Sequence, residues 1–241
     1  MSISRVVLAI IQAVCNHYAC TVAPNPTPTK ARYHTEQLLI LRIAPLVFKA
    51  CSSALHFILL FTISTATLHL RTLFPIMGSP SPISTSALIC PFLPSESHPA
   101  VYTTPLFVVG VIAVALGTYI RLDCYRTLGH LFTFELAVEP NHKLVKERFY
   151  SYVRHPAYTG AMLIVIGIAL SHLSKGAWLT SCGPFRIPGS AIAVCTVWWV
   201  WALCVVCSRA QAEDDKMRKL FKEEWVQYAA DTPWWFLPGV Y

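Results

Sequence analysis

The sequence predicts an all-α, multi-pass integral membrane protein with about five transmembrane helices and a cytosolic or interfacial C-terminal helix. Three observations carry this. Hydrophobic residues make up 55% of the chain and charged residues only 13%, and mean hydropathy is +0.51. The apolar residues also gather in runs close to the roughly 20 residues that a helix needs to cross a hydrocarbon core of about 30 Å. The net charge of +7 would point to nucleic acid in a soluble chain. Here the basic residues stand between apolar runs, where they fix orientation and meet anionic lipid headgroups, and no nucleic-acid signature accompanies them.

Taken in order, the first run is 4–22, interrupted by Asn16 and His17; it reads as a weak span or as the apolar part of a signal sequence. Residues 38–48 are too short to span and carry Arg42 and Pro45, which suits an interfacial helix. The runs 52–70 and 101–120 are long enough, and the Pro- and Ser-rich stretch 75–99 between them reads as an irregular loop. A hairpin follows, with spans at 157–173 and 189–207. Residues 1–120 therefore form an N-terminal transmembrane region. Residues 121–241 form a second unit, made of a polar loop 121–156, the hairpin 157–207, and a helix and tail 208–241.

Orientation follows from the basic residues. If 23–51, 121–156 and 208–241 share a side, they hold 15 of the 19 lysines and arginines, and the positive-inside rule makes that side cytosolic. The two polar segments 121–156 and 208–241 then meet on one face. The nine cysteines are an odd number without paired metal spacing, and several lie within apolar runs, so they read as reduced small hydrophobes. Cys204 and Cys207 lack the second pair that a metal site needs, and no metal is expected. Cys90 and Cys182 fall on the same lumenal side, which leaves a disulfide between them open.

Two polar stretches stand out. "YSYVRHPAYTG" sets Arg154, His155 and Pro156 between tyrosines at the mouth of an apolar helix, where His155 would serve as a cap, an interfacial residue or a ligand. In "SRAQAEDDKMRKLF", Arg209, Glu213 and Met217 recur every four residues and share a helical face, as in a surface ion pair or a site. Trp234 and Trp235 read most simply as an aromatic anchor in the membrane interface. His56, His69 and His172, in or near spans, read as packing or boundary residues.

Together, "HKLVKERFYSYVRHPAYTG" and "RAQAEDDKMRKLFKEEWVQYAADTPWWFLPG" resemble the isoprenylcysteine carboxyl methyltransferase family over about residues 128–241. Arg-His-Pro-x-Tyr alone also resembles phospholipid N-methyltransferases and membrane sterol reductases. The joint resemblance implies that His142, Lys143, Leu144, Val145, Tyr150, His155, Pro156, Ala157 and Tyr158 enclose S-adenosyl-L-methionine and that Glu213 closes that site. Arg209 would be the catalytic residue that meets the substrate, with Arg154 second to it. Glu135 and Glu139 lie near a further family position that contacts cofactor. Two departures stand out: Arg148 occupies a position where relatives often have glycine, which implies a different local backbone, and Asp214 replaces a second glutamate.

The resemblance implies methylation of the C-terminal prenylcysteine carboxylate of prenylated proteins in the endoplasmic reticulum membrane, with the active site facing the cytosol. Prenylated proteins or prenylcysteine would then be the substrates and membrane lipids the surroundings. The residue types suit that chemistry: a carboxylate is already ionised at neutral pH, so no general base is needed, and alignment and water exclusion dominate. A phospholipid N-methyltransferase is the main alternative, but it would need an acidic group for its amine where Arg209 stands. A nonenzymatic membrane scaffold would have no reason to pair the two blocks.

Overall fold

The computed structural model describes residues 3–20, 25, 46, 101–134, 136–138 and 142–240. Among them the fold is helical, without strands: α1 (Ile3–Cys20), α2 (Pro105–Leu128), α3 (Pro156–His172), α4 (Ser190–Phe221) and α5 (Glu223–Asp231), with short helical turns at Gly129–Leu131, Arg148–Ser151, Trp178–Ser181 and Pro184–Arg186 in the connections between α2 and α4. α1, α2 with its following turn, and α4 are long and apolar enough to cross a membrane, and α3 is a shorter apolar helix. These helices are consistent with an integral membrane protein. The expected span 52–70, the interfacial stretch 38–48 and the loop 75–99, with His56 and His69, lie outside the described residues. Cys182 is disulfide-bonded; Cys90 is also outside the described residues. Cys204 and Cys207 are exposed free thiols.

Local chemistry sets the helix ends. Pro105 begins α2 at a position where its missing N–H costs nothing, and Thr104 caps it by accepting from the Phe107 amide at 3.1 Å. α3 likewise starts at Pro156. α4 runs for 32 residues, about 48 Å at the helical rise per residue. The expected span 189–207 and the helix expected after 208 are thus one continuous rod. Its last turns, which carry Arg209 and Glu213, extend past the length a bilayer needs. Lys222, at φ 48°, then breaks the rod and α5 departs.

α2 and α3 form an antiparallel pair whose backbones approach closely through two pairs of glycines. A Cβ on Gly110 would lie 2.5 Å from the Gly167 carbonyl oxygen, and one on Gly117 would lie 2.5 Å from that of Gly160. Such an approach suits a lipid medium, where dispersion and close packing rather than water exclusion hold helices together. α1 lies against this pair through a polar stripe at helical spacing, with Arg5, Gln12 and Asn16 buried. Arg5 donates to the Tyr102 carbonyl. Gln12 Nε2 donates to Ser171 Oγ at 2.9 Å, and its Oε1 meets His172 Nε2 at 3.1 Å. Asn16, which interrupts the apolar run, therefore lies on the buried stripe that faces protein.

Arg148 corrects one expectation. Its φ is 56°, within the left-handed region that glycine favours, so the turn is built despite the side chain.

Candidate active site

The site assembles where the α2–α3 connection, the last turns of α4, and the C-terminal tail meet. At the start of α3, His155 precedes a proline and is therefore displaced from helical geometry, with φ −126° and ψ 58°. Its backbone is held by the tail: the Arg154 and His155 amides donate to the Trp234 and Trp235 carbonyls, each at 2.9 Å. Its imidazole is free to face α4.

That ring lies between two carboxylates. Nε2 is 3.0 Å from Asp214 Oδ1 and Nδ1 is 3.3 Å from Glu213 Oε2. Neutral imidazole has a single N–H, so donating to both requires the imidazolium. Burial opposes that charge, but the hydrogen bonds and charges of Asp214 and Glu213 outweigh it and raise the His155 pKa to about 9. The network continues on both sides. Tyr158 Oη donates to Glu213 Oε1 and accepts from Arg209 Nε at 3.2 Å, while Arg209 Nη2 donates to the Phe134 carbonyl at 2.7 Å. Asp214 Oδ2 takes the Trp235 indole N–H at 3.0 Å and pairs with Arg154 Nε at 3.2 Å.

Stability should follow His155. A histidine whose folded pKa lies above its unfolded value stabilises fully below about pH 6.5 and loses that contribution as pH rises through about 9. Unfolding in detergent is therefore expected to become easier between those values in the wild type. His155→Gln should flatten the difference; parallel pH profiles for the two proteins would refute the imidazolium bridge.

A cavity of about 190 Å³ opens beside this network. Its lining includes His142, Lys143, Leu144, Val145, Tyr150, His155, Ala157, Tyr158, Arg209 and Glu213. Pro156 is not in that lining; it is fully buried as the first residue of α3. Arg209, Glu213 and Met217 share the inner face of α4, as their spacing implies, and all three line the cavity. Glu135 and Glu139 lie outside the described residues. His172 bonds Gln12 within the helix packing and is not in the lining.

Several contributors were not legible as such in the sequence. Asp214, read as a departure, accepts from His155 and Trp235 and pairs with Arg154. Arg154, read as second for substrate, lines the cavity but is tied to Asp214, donates to the Thr232 carbonyl at 3.2 Å and has its guanidinium 5.9 Å from the Trp225 ring centre. The Trp234–Trp235 pair, read as a membrane anchor, also holds the His155 turn: its carbonyls accept from the Arg154 and His155 amides, and the Trp235 indole donates to Asp214. Trp225 and Tyr228 of α5 also line the cavity, and the Tyr228 hydroxyl donates to the Tyr150 carbonyl at 2.8 Å. The amphipathic pattern of α5 was the available signal for them.

Residues 108–219 match the model of the isoprenylcysteine carboxyl methyltransferase family. The chain is similar to protein-S-isoprenylcysteine O-methyltransferase B of Arabidopsis thaliana, at 29% identity over 52% of this chain and 55% of the relative. It is also similar to protein-S-isoprenylcysteine O-methyltransferase of Saccharomyces cerevisiae, at 29% identity over 50% of this chain and 44% of the relative. The matched region thus spans about half the length of these curated relatives. No solved structure matches the chain.

Proposed function

We propose, on the premise that residues 108–219 belong to the isoprenylcysteine carboxyl methyltransferase family, that this protein methylates the C-terminal prenylcysteine carboxylate of prenylated proteins with S-adenosylmethionine. The observation that carries the choice of substrate is the charge of the cavity. Among its described lining residues, Glu213 and Asp214 are both engaged by His155, and Asp214 also by Arg154, while Arg121, Lys143 and Arg209 add further positive charge. A surplus of cations suits an anionic nucleophile and opposes an amine headgroup.

The donor set also fits the cofactor. Tyr150, Tyr158 and Trp225 offer aromatic faces to a sulfonium or an adenine, Lys143 offers a charge for the amino-acid carboxylate, and Glu213 offers an acceptor for amino or ribose groups. S-adenosylmethionine, when bound, supplies an electrophilic methyl group. The chain's own contribution is to align and to exclude water. Arg209 holds the substrate carboxylate, Tyr158 fixes Arg209 through its hydroxyl, and His155 keeps Glu213 in place. The tail 232–236 holds the His155 turn and Asp214 through its hydrogen bonds.

In the five-span arrangement, 15 of 19 basic residues gather on one side, and the positive-inside rule then supports a site facing the cytosol. Water-soluble cofactor would arrive there, while a prenyl chain dissolves favourably in lipid; we place the protein in the endoplasmic reticulum membrane and residues 121–241 as its methyltransferase core. Membranes containing the full chain are expected to transfer labelled methyl groups to a prenylcysteine acid, and neither to its amide nor to phosphatidylethanolamine. Methylation of the lipid amine alone would mean that the wrong reaction has been assigned to the right cofactor site.

A further inference from the structure

We propose that Asp123 and Arg148 form a positioning latch that holds the segment 142–150 in its cavity-lining conformation. Neither residue lines the cavity, but His142, Lys143, Leu144 and Val145 line it on one side of Arg148, and Tyr150 lines it on the other. The part of the proposal that concerns cofactor rests on the reading of this segment given above.

Three observations converge on the pair. Arg148 is at φ 56° at the start of the turn Arg148–Ser151, a conformation disfavoured for any residue with a Cβ. Something must hold it there. One edge of its guanidinium grips both oxygens of the Asp123 carboxylate, Nε to Oδ2 at 3.0 Å and Nη2 to Oδ1 at 2.5 Å, the planar fork that lysine does not offer. Asp123 lies near the end of α2 and is 3% exposed, so its charge has little water to fall back on and depends on Arg148. Next in sequence, Phe149 packs edge-on against Tyr119 of α2, with ring centres 6.1 Å apart.

The segment has a second ion pair, Lys146 to Glu224 at 3.0 Å, but there both side chains are exposed, 41% and 56%, whereas in the latch Arg148 is 59% exposed and only its partner carboxylate, at 4%, is buried. Exposed pairs of that kind contribute little because water screens them and long side chains lose freedom. The buried carboxylate decides.

Two kinds of variant separate the backbone from the charge. Arg148→Gly accepts the left-handed turn without a partner but strands the Asp123 charge; Arg148→Ala loses both supports. Asp123→Asn releases Arg148 in the wild type, yet removes the stranded charge when glycine is at 148.

Binding of S-adenosylhomocysteine to the purified full chain in detergent should therefore weaken about tenfold on Asp123→Asn alone, as a lost charge-assisted fork shifts the loop population. The same substitution should strengthen binding in the Arg148→Gly background, and Arg148→Ala should bind more weakly than Arg148→Gly. Asp123→Asn acting in the same direction in both backgrounds would overturn the latch. If the wild type binds no S-adenosylhomocysteine, the cofactor reading fails. The latch is then judged by amide hydrogen exchange, in which Asp123→Asn must speed exchange over 142–150 while α1 is unchanged. Unchanged exchange over 142–150 would overturn it.

Discussion

Arg209→Ala is expected to lower methyl transfer to a prenylcysteine acid by a factor on the order of a hundred or more, while binding of S-adenosylhomocysteine changes little. The size follows from what a pre-aimed donor is worth in a water-poor site, where removal of one such group typically costs on the order of 10² in rate. The separation of the two effects follows from geometry. Arg209 holds Tyr158 Oη and the Phe134 carbonyl, whereas the imidazolium bridge to Glu213 and Asp214 does not pass through it. Arg209→Lys should recover only part of the rate, because a point charge replaces a planar fork that can hold both carboxylate oxygens. Single-turnover rates beside equilibrium binding decide the matter. A loss of binding as large as the loss of rate would show that Arg209 builds the cofactor site and does not aim the substrate.

Asp214→Ala is expected to be the most damaging single change to the architecture of the site, destabilising the protein by about 3–5 kcal/mol, the usual cost of stranding buried charges. Three partners lose Asp214 at once: His155 and the Trp235 indole lose an acceptor, and Arg154 loses its counter-charge. His155 is 7% exposed and the Arg154 side chain 8%, so water cannot replace what is lost. The tail is affected as well, since Trp235 is held to Asp214 through its side chain. Asp214→Asn keeps an acceptor but removes the charge, and should fall between alanine and the wild type. Thermal unfolding of the three proteins in one detergent gives the order. An Asp214→Ala protein within about 1 kcal/mol of the wild type would mean that the backbone bonds of the tail, not this carboxylate, hold the site together.

The sequence by itself determined the medium and the ingredients. Apolar runs of span length fixed the helical, membrane-embedded class. A four-residue period on α4 put Arg209, Glu213 and Met217 on one face, because helical geometry is local and repeats every 3.6 residues. The motif around His155 was legible for the same reason: a proline at the head of an apolar run favours a helix start there. The seven-residue spacing of Gly110 with Gly117 and of Gly160 with Gly167 went unread in the sequence, and it was the packing of α2 on α3 that gave it meaning.

Other features depended on segments far apart in the chain. That Asp214 answers His155 needs α4 to continue unbroken beyond the bilayer-length run and to pass beside the α3 start, which no local pattern states. That Trp235 reaches Asp214 needs the helix to break at Lys222 and the chain beyond α5 to come back to α4. That Arg148 holds a glycine-like turn depends on a buried carboxylate 25 residues earlier. Local periodicity names the face a residue shares; which buried charge that face must neutralise is decided only when the helices pack, because a charge removed from water takes its partner from whatever element lies against it.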